Sequence, residues 1–412
     1  MATQSFWQRT ASAPNPYSEL PGSADVVIVG GGSLGTAAAY WAARAGLKAV
    51  LIEQTKLAAG ATGRNGGFIT LGAADSYLSV SEKYGRQTAQ AIWRYTLHNR
   101  DLVQQVIADE GFDFDYRMCG TITLALDNDE AQSLRANIDA LEADGIHGET
   151  IWHDHVGAQS LVKTQLSEEI EGCVFKPGTA LIHSAKYVFG LAHAAVRRGA
   201  RISIAKFLSV DGDATGVTVR TNIGSVRARA AILAGNAWTD ELVPALKGIV
   251  VPVRGQVLSY LPSARVFDSG MGASITPTGE YWQQTLNGSI LIGGCRADAP
   301  DREWNIREDA LRDVVQAPLE NVIPRLFPQL NNLTVEQRWS GPMAFTRDYL
   351  PVIDRAPGLA NTWVAGGFNG HGMCYGLVTG EALVDAVMHD RKPASLSPFA
   401  ADRAHLRTEA DE

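Results

Sequence analysis

Between Ala24 and Glu53 the chain passes from strand to helix to strand chemistry in an order that admits few folds. An apolar run, Val26-Val27-Ile28-Val29, enters Gly30-Gly31-Gly32-Ser33-Leu34-Gly35, which opens an alanine-rich helix. A second apolar run, Ala49-Val50-Leu51-Ile52, ends on Glu53 and Gln54. Gly30 permits a tight turn, Gly32 lets backbone N–H groups approach a pyrophosphate at the helix N-terminus, and Gly35 lets helix and strand pack closely. Glu53 lies 18 residues beyond Gly35, close to the roughly 20 expected for an acid that binds a ribose hydroxyl pair. Strand, helix, second strand and acid in this order predict a βαβ unit that binds a dinucleotide.

At 412 residues the chain exceeds what one core usually serves, so a second domain sharing the nucleotide cleft is expected. The net charge of −8 comes without a basic tract, which argues against nucleic acid as a partner. Cys119, Cys173, Cys295 and Cys374 are scattered, with no CxxC or Cys/His spacing. Neither a metal site nor a disulfide framework is expected, and a reducing, cytoplasmic setting fits. Val26 to Ala43 is uncharged for 18 residues, but its glycines and βαβ flanks read as a soluble nucleotide fold rather than a membrane span. Residues 1–23, with Phe6, Trp7, Tyr17 and several prolines, read either as an extended arm lying on the body or as a partly disordered leader.

The run Gly60 to Gly67, containing Thr62, Gly63, Arg64, Asn65 and Gly66, is too glycine-rich for a helix. It is either a loop wrapped around a ligand or an ordinary surface loop. Helical periodicity marks 86–110 and 129–144, with a strand over 121–126 between them. Further helix and strand signals follow at 187–198, 200–210, 216–221 and 228–234, and alternating strands at 253–260, 280–284 and 289–294. A helix is expected near 307–323, ended by the prolines of 324–329, and this region closes near Trp339. Residues 362–365 read as a strand, 366–372 as a glycine-rich turn and 376–389 as a closing helix, followed by a polar tail.

The turn Gly370-His371-Gly372-Met373 looks like a second nucleotide fingerprint, yet no strand with an acid follows it. A helix N-terminus there can instead stabilise negative charge on a bound group. His371, between two glycines, has no neighbouring side chains to bury it and reads as an active-site residue. His153 and His155 would share one face of a strand, but no third ligand accompanies them, and a surface loop is the better reading. His183 shapes the approach to the segment that begins at Tyr187.

Six motifs in order resemble one family: the GxGxxG unit with Glu53; Gly63-Arg64-Asn65-Gly66-Gly67; Ala234-Gly235-Asn236-Ala237-Trp238; Pro252-Val253-Arg254-Gly255-Gln256; Ile292-Gly293-Gly294; and Gly367-Phe368-Asn369-Gly370-His371-Gly372. Together they resemble the D-amino acid oxidase superfamily of FAD-dependent oxidoreductases, nearest the gamma-glutamylputrescine oxidase branch, with sarcosine and glycine oxidases further off. The resemblance implies an α/β plus α+β architecture. A Rossmann-type FAD domain is expected in three pieces, 24–80, 160–240 and 340–395, with a substrate domain on an antiparallel sheet from 81–159 and 241–339, and the arm 1–23. It implies cofactor contacts at Gly30, Gly32, Ser33, Leu34, Gly35, Glu53, Gln54, 62–67, Phe207, Leu208, Gly235, Trp238, Gly341, Gly367 and Asn369 to Met373.

The same resemblance implies oxidation of a C–N bond in a secondary amine, polyamine derivative or amino acid, with hydrolysis of the resulting imine. Sarcosine oxidases attach flavin through a cysteine where this chain reads Gly341-Pro342-Met343, so FAD is expected to be non-covalent. They also use an oxygen-assisting lysine, absent from Ser289 to Ile292. Tyr281, Trp282, Gln284, Asn369 and His371 are the candidates for the substrate face; Tyr281 and Trp282 point to opposite sides of a strand, so at most one of them meets the ring. Arg64, Arg254, Arg296 and Arg347 are candidate carboxylate anchors, with Arg254 the more structural among them. Rival readings are a partner-dependent flavoprotein subunit and an NAD(P)H-dependent hydroxylase; self-association is left open.

Overall fold

The computed structural model describes residues 3–12, 15 and 17–406; Met1, Ala2, Ala13, Pro14 and Pro16 of the expected arm, and residues 407–412, lie outside them. The first apolar run forms the strand Val26–Val29, buried along its whole length, because neighbours pair on both sides and helices or strands cover both faces. It is flanked in parallel by Ala49–Glu53 and Ala230–Leu233, and the sheet extends to Arg201–Ile204 on one side and to Thr362–Gly366 and Val352–Arg355 on the other. Only the edge strand Val352–Arg355 is antiparallel in this six-stranded sheet.

Helices Ser33–Arg44, Ser184–Arg197 and Gly376–His389 share one core. Gly380 lets the last of them approach the first, since a Cβ there would lie 2.9 Å from Ala37. The other sheet face, Val27, Val29, Val50 and Ile52, packs against Val217, Val219 and Val226 of a three-stranded antiparallel sheet, Phe207–Asp213, Gly216–Thr221 and Gly224–Ala228. Among the described residues no helix is long and apolar enough to cross a membrane, and all four cysteines are free.

The second body is an eight-stranded sheet, ordered Val335–Phe345, Val251–Tyr260, Ile290–Gly293, Glu280–Gln284, Gly270–Ala273, Thr121–Ala125, Gly172–Lys176, Ile151–Asp154. It is antiparallel except where Gly270–Ala273 meets Thr121–Ala125. Two expected boundaries move. The strand Val335–Phe345 runs through residue 340 without a break, paired along its length with Val251–Tyr260, and Gly172–Lys176 belongs to this sheet rather than to the nucleotide domain. The helix expected near 307–323 spans Asp313–Leu326 and continues through Pro318 and Pro324. Burial of Val315, Leu319, Val322, Ile323 and Leu326 in the second core outweighs the hydrogen bonds those prolines remove.

The arm is not wholly extended. Ser5 and Gln8 form a capping box that starts the helix Phe6–Thr10 and turns Phe6 and Trp7 into the main core. Further on, Ser18 donates its N–H to Ile202 O at 2.7 Å, laying the arm along the sheet edge. The C-terminal tail is likewise packed: Leu396 and Phe399 are fully buried, with Phe399 against Tyr95 and Tyr375.

His183 joins the arm to the body. It is buried beside Trp7, with ring centroids 4.8 Å apart, and caps Ser184–Arg197 by accepting the Lys186 N–H on Nδ1 at 3.3 Å. The Thr10 hydroxyl is donated to Phe6 O at 2.7 Å, so the contact at 3.0 Å requires His183 Nε2–H to donate to Thr10 Oγ1. Protonation at Nδ1 would therefore break the cap, and burial pulls the His183 pKa down to about 4. Because the unfolded chain takes this proton near 6.5 and the folded chain only near 4, stability is full above the first value and falls as pH drops towards the second. The expected contribution is about 3 kcal/mol lost across that window. Urea unfolding at pH 7 and pH 4 should show this loss in wild type and a smaller one in His183→Asn, which retains an N-cap acceptor; equal losses would exclude His183 as the cause.

Candidate cofactor and active site

The carboxyl ends of the central strands open into a cavity of about 1760 Å³ that runs from the glycine turn to the face of the eight-stranded sheet. That is larger than the roughly 300–1,000 Å³ of common small-ligand pockets. At the turn, Gly30 holds φ +115°, and a Cβ there would come within 2.5 Å of Ala234 O. A Cβ on Gly35 would overlap the Gly30 carbonyl. Gly32 precedes the helix Ser33–Arg44, and the Ser33 N–H donates to Thr62 Oγ1 at 3.2 Å. Glu53 accepts the N–H of Gly31 on one oxygen and that of Thr55 on the other, each at 2.8 Å. Its carboxylate thus stands beside the glycine turn with acceptor sites left over.

Gln54, Phe207, Leu208, Gly235 and Trp238 line the same end, with Leu208 and Trp238 exposed at the rim. Gly35, Gly63 and Gly367 stand behind the wall instead of lining it. Their missing side chains make room for Gly30 O, Ala58 O and Thr346 respectively, so their part is to shape the wall, a correction to the expected contact list.

The 60–67 segment is held from two sides. Arg64 donates to Ala59 O at 3.0 Å, to Ser340 O at 2.7 Å, to Thr3 O at 2.9 Å and to the Asp309 carboxylate at 3.0 Å. The arm adds Trp7 Nε1–H to Asn65 O at 2.6 Å and the Ser5 hydroxyl to Gly63 O, while the amide of Gln283 donates to Gly66 O and Gly67 O. A Cβ on Gly66 would sit 2.6 Å from the Tyr281 ring. Of the two readings left open for this loop, the structure shows one fixed against a cavity.

Strand alternation separates the expected substrate-face residues. Tyr281 lines the cavity edge-on to Phe68, with ring centroids 6.0 Å apart, and burial raises its pKa to about 12, so it is a neutral phenol. Trp282 faces away into the second core with Phe267 and Phe327. Gln284 also faces away and serves as a brace, accepting the N–H groups of Val266 at 2.8 Å and Phe267 at 3.2 Å. Neither lines the cavity, because a period of two places both opposite Tyr281.

His371 lines the cavity. Its Nδ1 lies 3.1 Å from Asn369 O, and a carbonyl can only accept, so Nδ1 carries the proton and Nε2 is the bare nitrogen. Burial lowers the His371 pKa, the bond to Asn369 opposes this, and the charge of Lys176 lowers it further. The imidazole is therefore neutral at pH 7. Asn369 has a wall position, but its side chain is turned inward, accepting the Thr346 N–H and donating to Gly367 O, each at 2.8 Å.

Among the four arginines, Arg64 is paired as described and Arg254 is buried against Glu303. Arg347 does not line the cavity. Arg296 does, with its guanidinium 4.9 Å from the Phe345 ring centroid and donating to Arg302 O. Sequence reasoning missed Lys176 and Asp75, which also line it. Single charged residues at a strand end and in a loop give no motif, and only the tertiary fold brings them into one cavity lining with His371. His155 is tied to Ile170 O at 2.6 Å, and among the described residues no cluster of three or more metal-ligating side chains forms.

The family profile described as FAD dependent oxidoreductase matches residues 25–386. Gamma-glutamylputrescine oxidoreductase of Escherichia coli is 25% identical over 404 residues, covering 94% of this chain and 89% of the relative. Glycine oxidase from Geobacillus kaustophilus superimposes with a TM-score of 0.79 at 22% identity, covering 93% of this chain and 99% of the other. L-proline dehydrogenase from P. horikoshii gives 0.80 at 22% identity, covering 94% and 100%. The chain belongs to the FAD-dependent oxidoreductase family, and its double-sheet architecture is the family's.

Gly35→Ala, which sets a methyl group against the Gly30 carbonyl, should yield protein with markedly reduced flavin. The ratio of visible to 280 nm absorbance checks this, and an unchanged ratio would show that the turn does not shape the cofactor site.

Proposed function

We propose that this member of the FAD-dependent oxidoreductase family oxidises the C–N bond of a secondary amine, polyamine derivative or amino acid to an imine, which water then hydrolyses. The supporting observation is a neutral His371, its Nδ1 committed to Asn369 O and its Nε2 bare, in the lining of a cavity that Tyr281 also lines. The names of the relatives, which act on amines or amino acids, point the same way.

In this reading the N–H groups at the start of Ser33–Arg44, with Thr62, hold the pyrophosphate, and Glu53 takes the ribose hydroxyls. Gln54, Phe207, Leu208, Gly235 and Trp238 enclose the nucleoside, while Arg64 to Gly67, Gly341 and Gly370 to Met373 border the ring system. The fit rests on glycine positions where a side chain would occupy the groove or its wall. Attachment is non-covalent: no cysteine lines the cavity, and Cys374, its pKa pushed up to about 12 by burial, donates its thiol to His371 O at 3.0 Å.

The chemistry FAD supplies when bound is acceptance of a hydride from the carbon beside the amine. The protein's work is to present that carbon and to keep the amine neutral. His371 Nε2 takes the proton from the incoming ammonium, and its lowered pKa keeps it available at neutral pH. Tyr281, Phe345 and Met343 give the amine an apolar wall, where a neutral amine is favoured over its charged form.

Anaerobic mixing with a panel of amines and amino acids should bleach the visible absorbance of the bound flavin for at least one of them. In wild type the acid limb of kcat/KM should fall below pH 6.5, the ordinary histidine value. In His371→Asn it should move up towards the pKa of the free amine, with a rate loss of about 10²–10⁴-fold at pH 7. Flavin that no amine bleaches would sink the enzymatic reading in favour of a partner-dependent subunit, and an unmoved limb would remove His371 from the proton transfer.

A further inference from the structure

Lys176 closes the strand Gly172–Lys176 and lines the cavity. Among the described residues its ammonium has no hydrogen bond or ion pair, whereas the other enclosed cations are engaged: Arg64 with Asp309, Arg307 with Asp240 and Glu241, and Arg296 over Phe345. An enclosed cation left without a partner is costly, and proteins rarely keep one except for a ligand or a reaction. Burial alone pulls its pKa down, with no carboxylate acting against this. Asp75 is not that counter-charge, since its own carboxyl is pushed up by burial and is offset by Lys83 and His371.

Two features restrict what the missing anion is. The glycine turn that would hold a pyrophosphate, with Thr62 beside it, follows a strand of the six-stranded sheet, whereas Lys176 belongs to the other sheet. Lys176 and His371 line the same cavity, so one bound molecule can meet both. Thr121, the partner of Lys176 across the strand pair, and the lining residues Thr123, Thr150 and Asn137 supply neutral donors.

We propose that Lys176 anchors an anionic group of the substrate, a carboxylate carried on the same molecule as the amine that His371 deprotonates. This rests on the amine-oxidation reading and narrows it: simple amines and polyamines without an acidic group are poor substrates, and amino acids or acid-bearing amine derivatives are good ones. Lys176 thereby sets specificity through binding, and the carboxylate takes no part in bond breaking.

The test uses the flavin-loaded protein and acetate, propionate and succinate as probes, with acetamide and propionamide as neutral controls, followed by perturbation of the bound flavin's visible spectrum. At least one carboxylate should bind wild type while its amide does not. Lys176→Met should weaken that binding about tenfold to a hundredfold, as expected for losing a hydrogen bond to a charged group, with Lys176→Arg restoring most of it. Flavin content should be unchanged in both variants. In turnover, measured at a pH well above the histidine range so that the His371 titration does not enter, Lys176→Met should raise KM for acid-bearing amines far more than for acid-free ones. Absence of carboxylate binding in wild type, or equal binding in wild type and Lys176→Met, overturns the anchor whichever amines bleach the flavin. Carboxylate binding that depends on Lys176, in a protein no amine reduces, keeps the anchor and removes the amine reading.

Discussion

One guanidinium, that of Arg64, ties together three parts of the chain that are far apart in sequence. It bonds Thr3 in the arm, Ala59 at the start of the glycine-rich loop, and Asp309 and Ser340 in the second body. A rigid planar fork suits this better than a lysine's single point of charge. With its side chain only 11% exposed and Asp309 at 21%, the pair is shielded enough for its hydrogen bonds to hold the loop against both sheets. The position of the loop, and through it the distance between the glycine turn and the Tyr281 wall, depends on this knot and on the indole and amide groups of Trp7 and Gln283 beside it.

Across the cavity the two bodies contribute opposite electrostatics. The six-stranded sheet offers oriented N–H groups and one carboxylate, Glu53, suited to phosphates and hydroxyls. The eight-stranded sheet offers an aromatic wall at Tyr281 and Phe345 and a cation, Lys176, that has no ion pair among the described residues. His371 stands at their junction: Asn369 O fixes its tautomer, and burial together with Lys176 keeps it neutral. The neighbouring thiol of Cys374 holds His371 O, so ring and backbone are both positioned by the turn that precedes Gly376–His389.

Legibility in the sequence followed the range of the forces involved. The strand Glu280–Gln284 and the helix Gly376–His389 have the limits that their local patterns indicate, because periodicity and glycine punctuation act over a few residues. Asp313–Leu326 was harder, since its two prolines are local stop signals overruled by a core assembled from distant strands. Trp282 and Gln284 show the same limit: alternation says that one face of the strand differs from the other, and only the packed sheet shows that Tyr281 has the cavity.

The sequence by itself determined the dinucleotide unit, the discontinuous two-body architecture and the family, because each rests on glycines and apolar periods whose constraints are steric and local. Tertiary structure alone decided which charges are paired within the protein and which line the cavity. Arg64 and Arg254 carry the motifs, yet Asp309 and Glu303 neutralise them, whereas Lys176 carries no motif, lines the cavity and has no ion pair among the described residues. The reason is that charge acts through space: whether a cation is paired depends on which carboxylates the fold brings within a few ångströms, and these come from distant segments, 245 residues away for Arg64 and Asp309 and 49 for Arg254 and Glu303.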